Sequence, residues 1–226
     1  MKPWQRRLSR LLSEEQAPPV VTRDLLARFA RTANDGRAVP VSTLTYWLRQ
    51  AREHQDLEPI RRGLYLNRLR RRPPNLADAV PWLAPDAVVS LNTVLGDAGI
   101  LNNPVSVITA VVPIDPGRAP PSLGRVRTAC GTFHFFGSPR RIVEAGPAED
   151  RLDTREPWEH ARANPEKALL DWLYLGHSPY SRRTPPPRTD IDTSLLDRSR
   201  LDRLAGAMNL GGHLQTWLEQ PTMSQP

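Results

Sequence analysis

The sequence predicts an α+β protein in two parts: a winged helix-turn-helix over residues 1–72, then a mixed α/β domain over residues 75–226. Three observations carry that reading. Positive charge is concentrated at one end: residues 1–72 hold 16 Lys+Arg against 7 Asp+Glu, a net +9, and the remainder holds 15 against 17, a net −2. The same basic third reads as helix, helix, turn, helix and then an arginine-rich hairpin. Past the run "NRLRRRPPN" (Asn67–Asn75) the pattern changes to β-branched apolar runs mixed with helical spacing, which sets the domain boundary near Arg72–Asn75.

Taken in order, "PWQRRLSRLLSEEQ" (Pro3–Gln16) is an amphipathic helix with Trp4, Leu8, Leu11 and Leu12 along one side. In "VVTRDLLARFARTAND" (Val20–Asp35), Thr22 stands as N-cap and Leu25, Leu26 and Phe29 follow at helical spacing. Asn34, Asp35 and Gly36 mark a turn. "PVSTLTYWLRQAREHQ" (Pro40–Gln55) starts again, with Ser42 as cap and a buried stripe of Leu44, Trp47, Leu48 and Ala51. The opposite side of that helix shows Thr43, Thr45, Tyr46, Arg49, Gln50 and Arg52. "LEPIRRGLYLNRLRRR" (Leu57–Arg72) alternates about Gly63 as a hairpin does, with Leu64, Tyr65 and Leu66 in its core.

A helix fits the major groove of duplex DNA, and its polar side reaches base edges. Thr43, Thr45, Tyr46, Arg49 and Arg52 are therefore the candidates for base contact, and Arg61 and Arg62 on the hairpin for the phosphates. Arginine suits that role because its planar fork of donors matches phosphate oxygens. Double-stranded DNA is the expected partner, with copies pairing on half-sites. The rival reading of the same unit is a dimerisation or protein-docking module.

In the second part, "VVSLNTVLGDAGIL" (Val88–Leu101) predicts a helix from about Ser90, with Leu91, Val94 and Leu95 buried and Gly99 ending it. "VSVITAVVP" (Val105–Pro113) is a strand buried on both faces. "GRVRTACGTFHFFG" (Gly124–Gly137) and "RRIVEAG" (Arg140–Gly146) read as further strands, with Cys130 a small strand residue. "DTSLLDRSRLDRLAGAMN" (Asp192–Asn209) ends as a helix carrying Leu201, Leu204 and Met208. In "NPEKALLDWLYL" (Asn164–Leu175), Asn164 caps a helix and Pro165 takes the first position, where its missing N–H costs nothing. Glu166 suits the helix dipole. Lys167 and Asp171, four apart, pair on the exposed edge. The remaining apolar positions make this the core helix of its domain.

Several function classes are set aside. No apolar run approaches the roughly 20 residues that cross a bilayer, and the start of the chain lacks a secretory core, so the expected location is the cytoplasm. A single cysteine makes no internal disulfide, in keeping with a reducing compartment. His54, His134, His160, His177 and His213 are scattered, with no Cys or carboxylate at metal-ligand spacing, so neither a metal nor a cofactor is expected. Nucleophile-elbow and P-loop motifs are missing. "TDIDT" places Asp190 and Asp192 where two carboxylates could hold a divalent ion, but without a phosphate loop they read as helix caps. The expectation is a protein that is not an enzyme.

"RRGLYLN" (Arg61–Asn67), "VVSLNTVLGDAGIL" (Val88–Leu101) and "NPEKALLDWLYL" (Asn164–Leu175) resemble, in order and spacing, successive landmarks of the AbiEi-family antitoxins of bacterial type IV, abortive-infection toxin–antitoxin systems. The resemblance spans roughly Val21 to Met208. It implies a winged-helix domain that binds operator DNA and represses its own operon, and an α/β domain that neutralises a toxin of nucleotidyltransferase type. Glu166 and Lys167, opening the last landmark, are the candidate toxin-facing pair. The proline-rich run "SPYSRRTPPPRTD" (Ser178–Asp190) departs from a compact member of the family. The alternative is a stand-alone regulator that senses a ligand or protein through residues 75–226.

Overall fold

Trp4, Leu8 and Leu12 line the buried side of α1 (Pro3–Ser13), which starts on a proline that needs no N–H there. The computed structural model describes residues 2–104, 106–117, 123–179, 181 and 183–221. After α1 the chain extends through β1 (Val20–Thr22), and the Thr22 hydroxyl accepts the Leu25 N–H at 3.1 Å to cap α2 (Arg23–Ala33). Positive φ at Asp35 (55°) and Gly36 (79°) turns the chain back. Helix α3 (Val41–Glu53) then starts from Pro40, not Ser42: Pro40 carries the last non-helical backbone (φ −54°, ψ 141°), which leaves Ser42 inside the first turn.

Strands β2 (Leu57–Arg61) and β3 (Leu64–Asn67) form the expected hairpin, with Gly63 supplying the turn's positive φ of 77°. The other edge of β3 is taken by β1, from Val20↔Leu66 to Thr22↔Leu64, so the sheet order is β1-β3-β2. Trp4, Leu8, Leu12, Val21, Leu26, Ala30, Leu44, Trp47, Leu48 and Leu57 make one apolar cluster beneath it. Asn67 is buried and satisfied, its amide donating to Leu12 O (2.9 Å) and Pro18 O (3.2 Å).

The chain divides into two units, Met1–Ala79 with Arg127–Gly131, and Val80–Val126 with Thr132–Pro226. The division therefore lies at Ala79–Val80, a little beyond the composition change at Arg72–Asn75.

The second unit holds α4 (Val80–Leu83), β4 (Val88–Val89), α5 (Asn92–Asp97), β5 (Val107–Ile114), all of β6 (Gly124–Thr128) but its last two residues, all of β7 (Gly131–Pro139) but its first, α6 (Arg140–Val143) and α7 (Ala148–Arg151). It is completed by α8 (Pro165–His177), α9 (Arg198–Ala207) and α10 (Gly211–Leu218). Its sheet runs β4-β5-β7-β6, with β5 parallel to β7 from Val107↔Thr132 to Ile114↔Pro139 and β4 antiparallel to β5. Helix α5 starts at Asn92, two residues later than expected, because Ser90 is engaged elsewhere and Leu91 takes φ 62°. The buried Thr109 hydroxyl fixes that start by donating to Ser90 O at 2.6 Å and accepting the Thr93 N–H at 3.1 Å.

Two strand expectations are corrected. "RRIVEAG" is not a strand: the ladder ends at Pro139 and Arg140–Val143 coils into α6, with the Arg140 guanidinium held by both oxygens of Asp115 (2.7 and 3.0 Å). Cys130 lies in the turn between β6 and β7, outside both strands. Burial pushes its thiol above the usual range, against the lowering effect of the Thr128 hydroxyl.

The described part of the proline-rich run lies against α8 and α10. Trp172 Nε1 donates to Thr184 O (2.9 Å) and Trp217 Nε1 donates to Pro186 O (2.6 Å). Gly176 permits the approach, since a Cβ there would stand 2.5 Å from Pro185 Cα. The whole is an α+β fold with ten α-helices and two sheets among the described residues. None of the described helices is long and apolar enough to cross a membrane.

Candidate nucleic-acid interface

Helix α3 is two-sided. Leu44, Trp47, Leu48 and Ala51 are buried, while Thr45, Tyr46, Arg49 and Arg52 are exposed and Thr43 is half-buried. The exposed side is organised. The Arg49 guanidinium lies 5.1 Å from the Tyr46 ring centre, with its Nε 3.8 Å from Glu53 Oε1, and the Tyr46 hydroxyl accepts Gln50 Nε2 at 3.1 Å. Thr45 is the exception among the five candidates. Its hydroxyl donates to Val41 O (2.7 Å) and accepts Arg23 Nη2 (2.8 Å). That brings in Arg23, the first residue of α2, which sequence periodicity did not single out.

Beside this side lies a hollow of about 530 Å³, lined by Lys2 and Gln5 from the start of α1 and by Ser42, Thr43, Tyr46 and Gln50. Arg61 and Arg62 are exposed where β2 turns into β3. An exposed pair such as Arg49–Glu53 holds by only a few tenths of a kcal/mol, so a phosphate can displace the carboxylate at little cost.

The fold has a solved counterpart. The crystal structure of the RV2827C protein from Mycobacterium tuberculosis aligns with a TM-score of 0.55 and 18% sequence identity, covering 100% of this chain and 84% of that one. At that identity the likeness speaks to the fold alone. No protein-family model and no curated protein matches the chain.

The structure removes Glu166 and Lys167 from the surface. They are 3% and 2% exposed, because α8 is enclosed on nearly every side. Glu166 accepts the Asp197 N–H at 2.8 Å and Arg200 Nη1 at 3.4 Å. Lys167 does not reach an exposed edge: its ammonium donates to Asp171, whose other oxygen accepts the Ser90 hydroxyl at 2.7 Å. Burial pushes the Asp171 carboxyl up, against the lowering effects of Lys167 and Ser90. Asn164 holds the N-cap position without capping by its oxygen. Its amide nitrogen donates to the carbonyls of Glu149 (3.3 Å), Asp150 (3.1 Å) and Leu152 (2.9 Å). The landmark is thus a polar bracket in the core, joining β4–α5 to α8 and α8 to α9.

Asp192 caps a single turn, its Oδ1 accepting the Ser194 N–H (3.0 Å) and hydroxyl (2.6 Å), which hold its carboxyl below the usual range. Asp190 sits in the preceding turn, Arg188–Asp190. Among the described residues no group of three or more His, Cys, Asp or Glu could hold a metal ion. The His177 and His213 rings lie 4.3 Å apart, His160 is buried beside Trp158, and His54 ends α3. His134 lines a cavity.

Proposed function

We propose that the chain is a DNA-binding antitoxin and transcriptional autorepressor, not an enzyme, whose first unit is a winged helix-turn-helix and whose second neutralises a nucleotidyltransferase-type toxin. The observation that carries the DNA-binding half is the polar side of α3. Tyr46, Arg49 and Arg52 stand exposed on a helix whose other side is core, within a unit whose basic third has a net charge of +9. In that reading α3 enters the major groove and the β2–β3 turn brings Arg61 and Arg62 to the neighbouring backbone. The antitoxin half rests on the three sequence landmarks and their resemblance to AbiEi-family chains. With Glu166 and Lys167 buried, its toxin-facing surface lies elsewhere on the second unit.

Fluorescence anisotropy on duplexes carrying the promoter, over a salt series, tests the first half. Each neutralised phosphate contributes about −0.9 to the log–log slope of affinity against salt. Arg62→Ala should weaken all sequences alike, and Arg49→Ala should change the preference among them. Equal binding by the wild type and the Arg49→Ala, Arg62→Ala double variant would sink the assignment. The antitoxin reading expects a nucleotidyltransferase gene beside this one, and co-expression with its product tests the second half: growth should be rescued by the intact chain, and absence of such a gene or failure of rescue leaves the stand-alone regulator.

A further inference from the structure

The second unit contains a cavity of about 570 Å³ between β6, β7, α8 and the proline-rich segment, lined by Arg125, His134, Phe136, Trp172, Ser181 and Arg183 among others. Its chemistry is one-signed. Arg125 and Arg183 bring two guanidinium charges, and no carboxylate stands among the described lining residues. Arg183 is half-buried, and an arginine drawn partly out of water is ordinarily matched by an acid. Arg183 is instead layered between two aromatic rings, its guanidinium carbon 4.7 Å from the Phe136 ring centre and 4.3 Å from that of Trp172.

One Arg183 Nη donates to the Asn92 side-chain oxygen, and Nε is buried without a hydrogen-bond partner among the described residues. Aromatic faces attract a cation but do not neutralise it. Burial accordingly lowers the Arg183 pKa to about 10. The His134 ring, 4.0 Å from that of Phe136, is held below its ordinary pKa by burial, then by Arg125 and Arg183. A neutral imidazole and the Ser181 hydroxyl remain as further hydrogen-bonding groups.

We propose that this cavity is a binding site for a small organic phosphate. Two positive charges with no acid among the described lining residues are balanced by a dianion, and a phosphate monoester reaches that charge near neutral pH, its second pKa being about 6. A carboxylate would balance only half of it. Guanidinium forks and hydroxyls suit the three terminal oxygens of a phosphate. The volume falls within the range of small-molecule pockets, roughly 300–1,000 Å³, which leaves space for a sugar or nucleoside beyond the phosphate. The aromatic layers fix the Arg183 guanidinium before a ligand arrives, so little ordering remains to be done on binding.

Calorimetric titration of the full chain, in low-salt buffer without phosphate, tests this. The probes are inorganic phosphate, adenosine 5′-monophosphate and, as a monoanion, acetate. Saturable binding of the two phosphates, at least about tenfold tighter than acetate, is the expected result, since charge-assisted forks are the strong hydrogen bonds. Arg183→Gln should weaken phosphate binding at least about tenfold. Arg125→Gln, at an exposed strand position that leaves the core untouched, should weaken it too and serves if Arg183→Gln fails to fold. Absence of saturation with either phosphate, acetate binding as tightly, or phosphate affinity unchanged in Arg125→Gln and in any folded Arg183→Gln protein would overturn the proposal.

Discussion

Lys167 is the residue whose surroundings decide its meaning. A lysine four residues before an aspartate, on a surface helix, contributes a few tenths of a kcal/mol. At 2% exposure and beside an Asp171 at 1%, both charges have left water, and removing one strands the other. Lys167→Ala should therefore destabilise the second unit by roughly 3–5 kcal/mol, while a Lys167→Met, Asp171→Leu pair should cost less than either single change. Urea unfolding of the three proteins checks the order; a double variant worse than both singles would refute it. His134 offers a second test. Its protonated form is disfavoured by burial, then by Arg125 and Arg183, so the ring should titrate below 6.5 and stay neutral at pH 7. Arg183→Gln removes one positive charge and should raise that value, as an NMR titration of the ring proton would show.

Among the elements, α8 has most to lose. Trp172 is 6% exposed, donates to Thr184 O and stacks on Arg183, so Trp172→Ala should cost roughly 3–5 kcal/mol. Thr22→Ala at the start of α2 should cost only about 1 kcal/mol, the worth of one cap. Both were visible in the sequence because a cap and an apolar stripe are local signals. What escaped is non-local. Val20 and Val21 form a strand because β3 lies alongside, and a three-residue segment cannot announce its partner. The same limit hid α6, which exists because the β7 ladder stops at Pro139. It also hid the burial of Lys167, since Ser90, which completes that bracket, stands 81 residues before Asp171. For the candidate interface, the exposed side of α3 followed from periodicity. Arg23 did not, because its link to Thr45 crosses between two helices.

At the scale of the whole molecule, charge and contacts divide the chain at slightly different places. The net-positive third ends at Arg72, whereas the first unit runs to Ala79 and includes Arg127–Gly131. Asn75 and Asp78 belong to it structurally, the Asp78 carboxylate accepting the Asn75 N–H at 2.9 Å. On the DNA-binding reading, a fragment of residues 1–72 should then retain DNA affinity but unfold below the same unit in the full chain. A loss of each kcal/mol is worth about 4–8 °C in a domain this small. Calorimetry on the fragment and the full chain measures the difference, and equal transitions would show that residues 73–79 and the turn contribute nothing. The proposed organic-phosphate site, if it alters DNA affinity when filled, would turn the antitoxin and ligand-sensing readings into one regulated protein.

The proline-rich strap over α8 has an optical consequence. Pro185, Pro186 and Pro187 offer no N–H, so this stretch cannot extend a sheet, and its anchors include two indole N–H groups reaching carbonyls, beside Arg183 on Asn92 and between the Phe136 and Trp172 rings. Lifting it exchanges those carbonyls for water around Trp172 and Trp217 while α8 itself stays wound. In a chain whose other four tryptophans are replaced by phenylalanine, emission should shift to the red at a lower denaturant concentration than the loss of helical circular dichroism. The separation between the two curves reads out the free energy with which the strap is held.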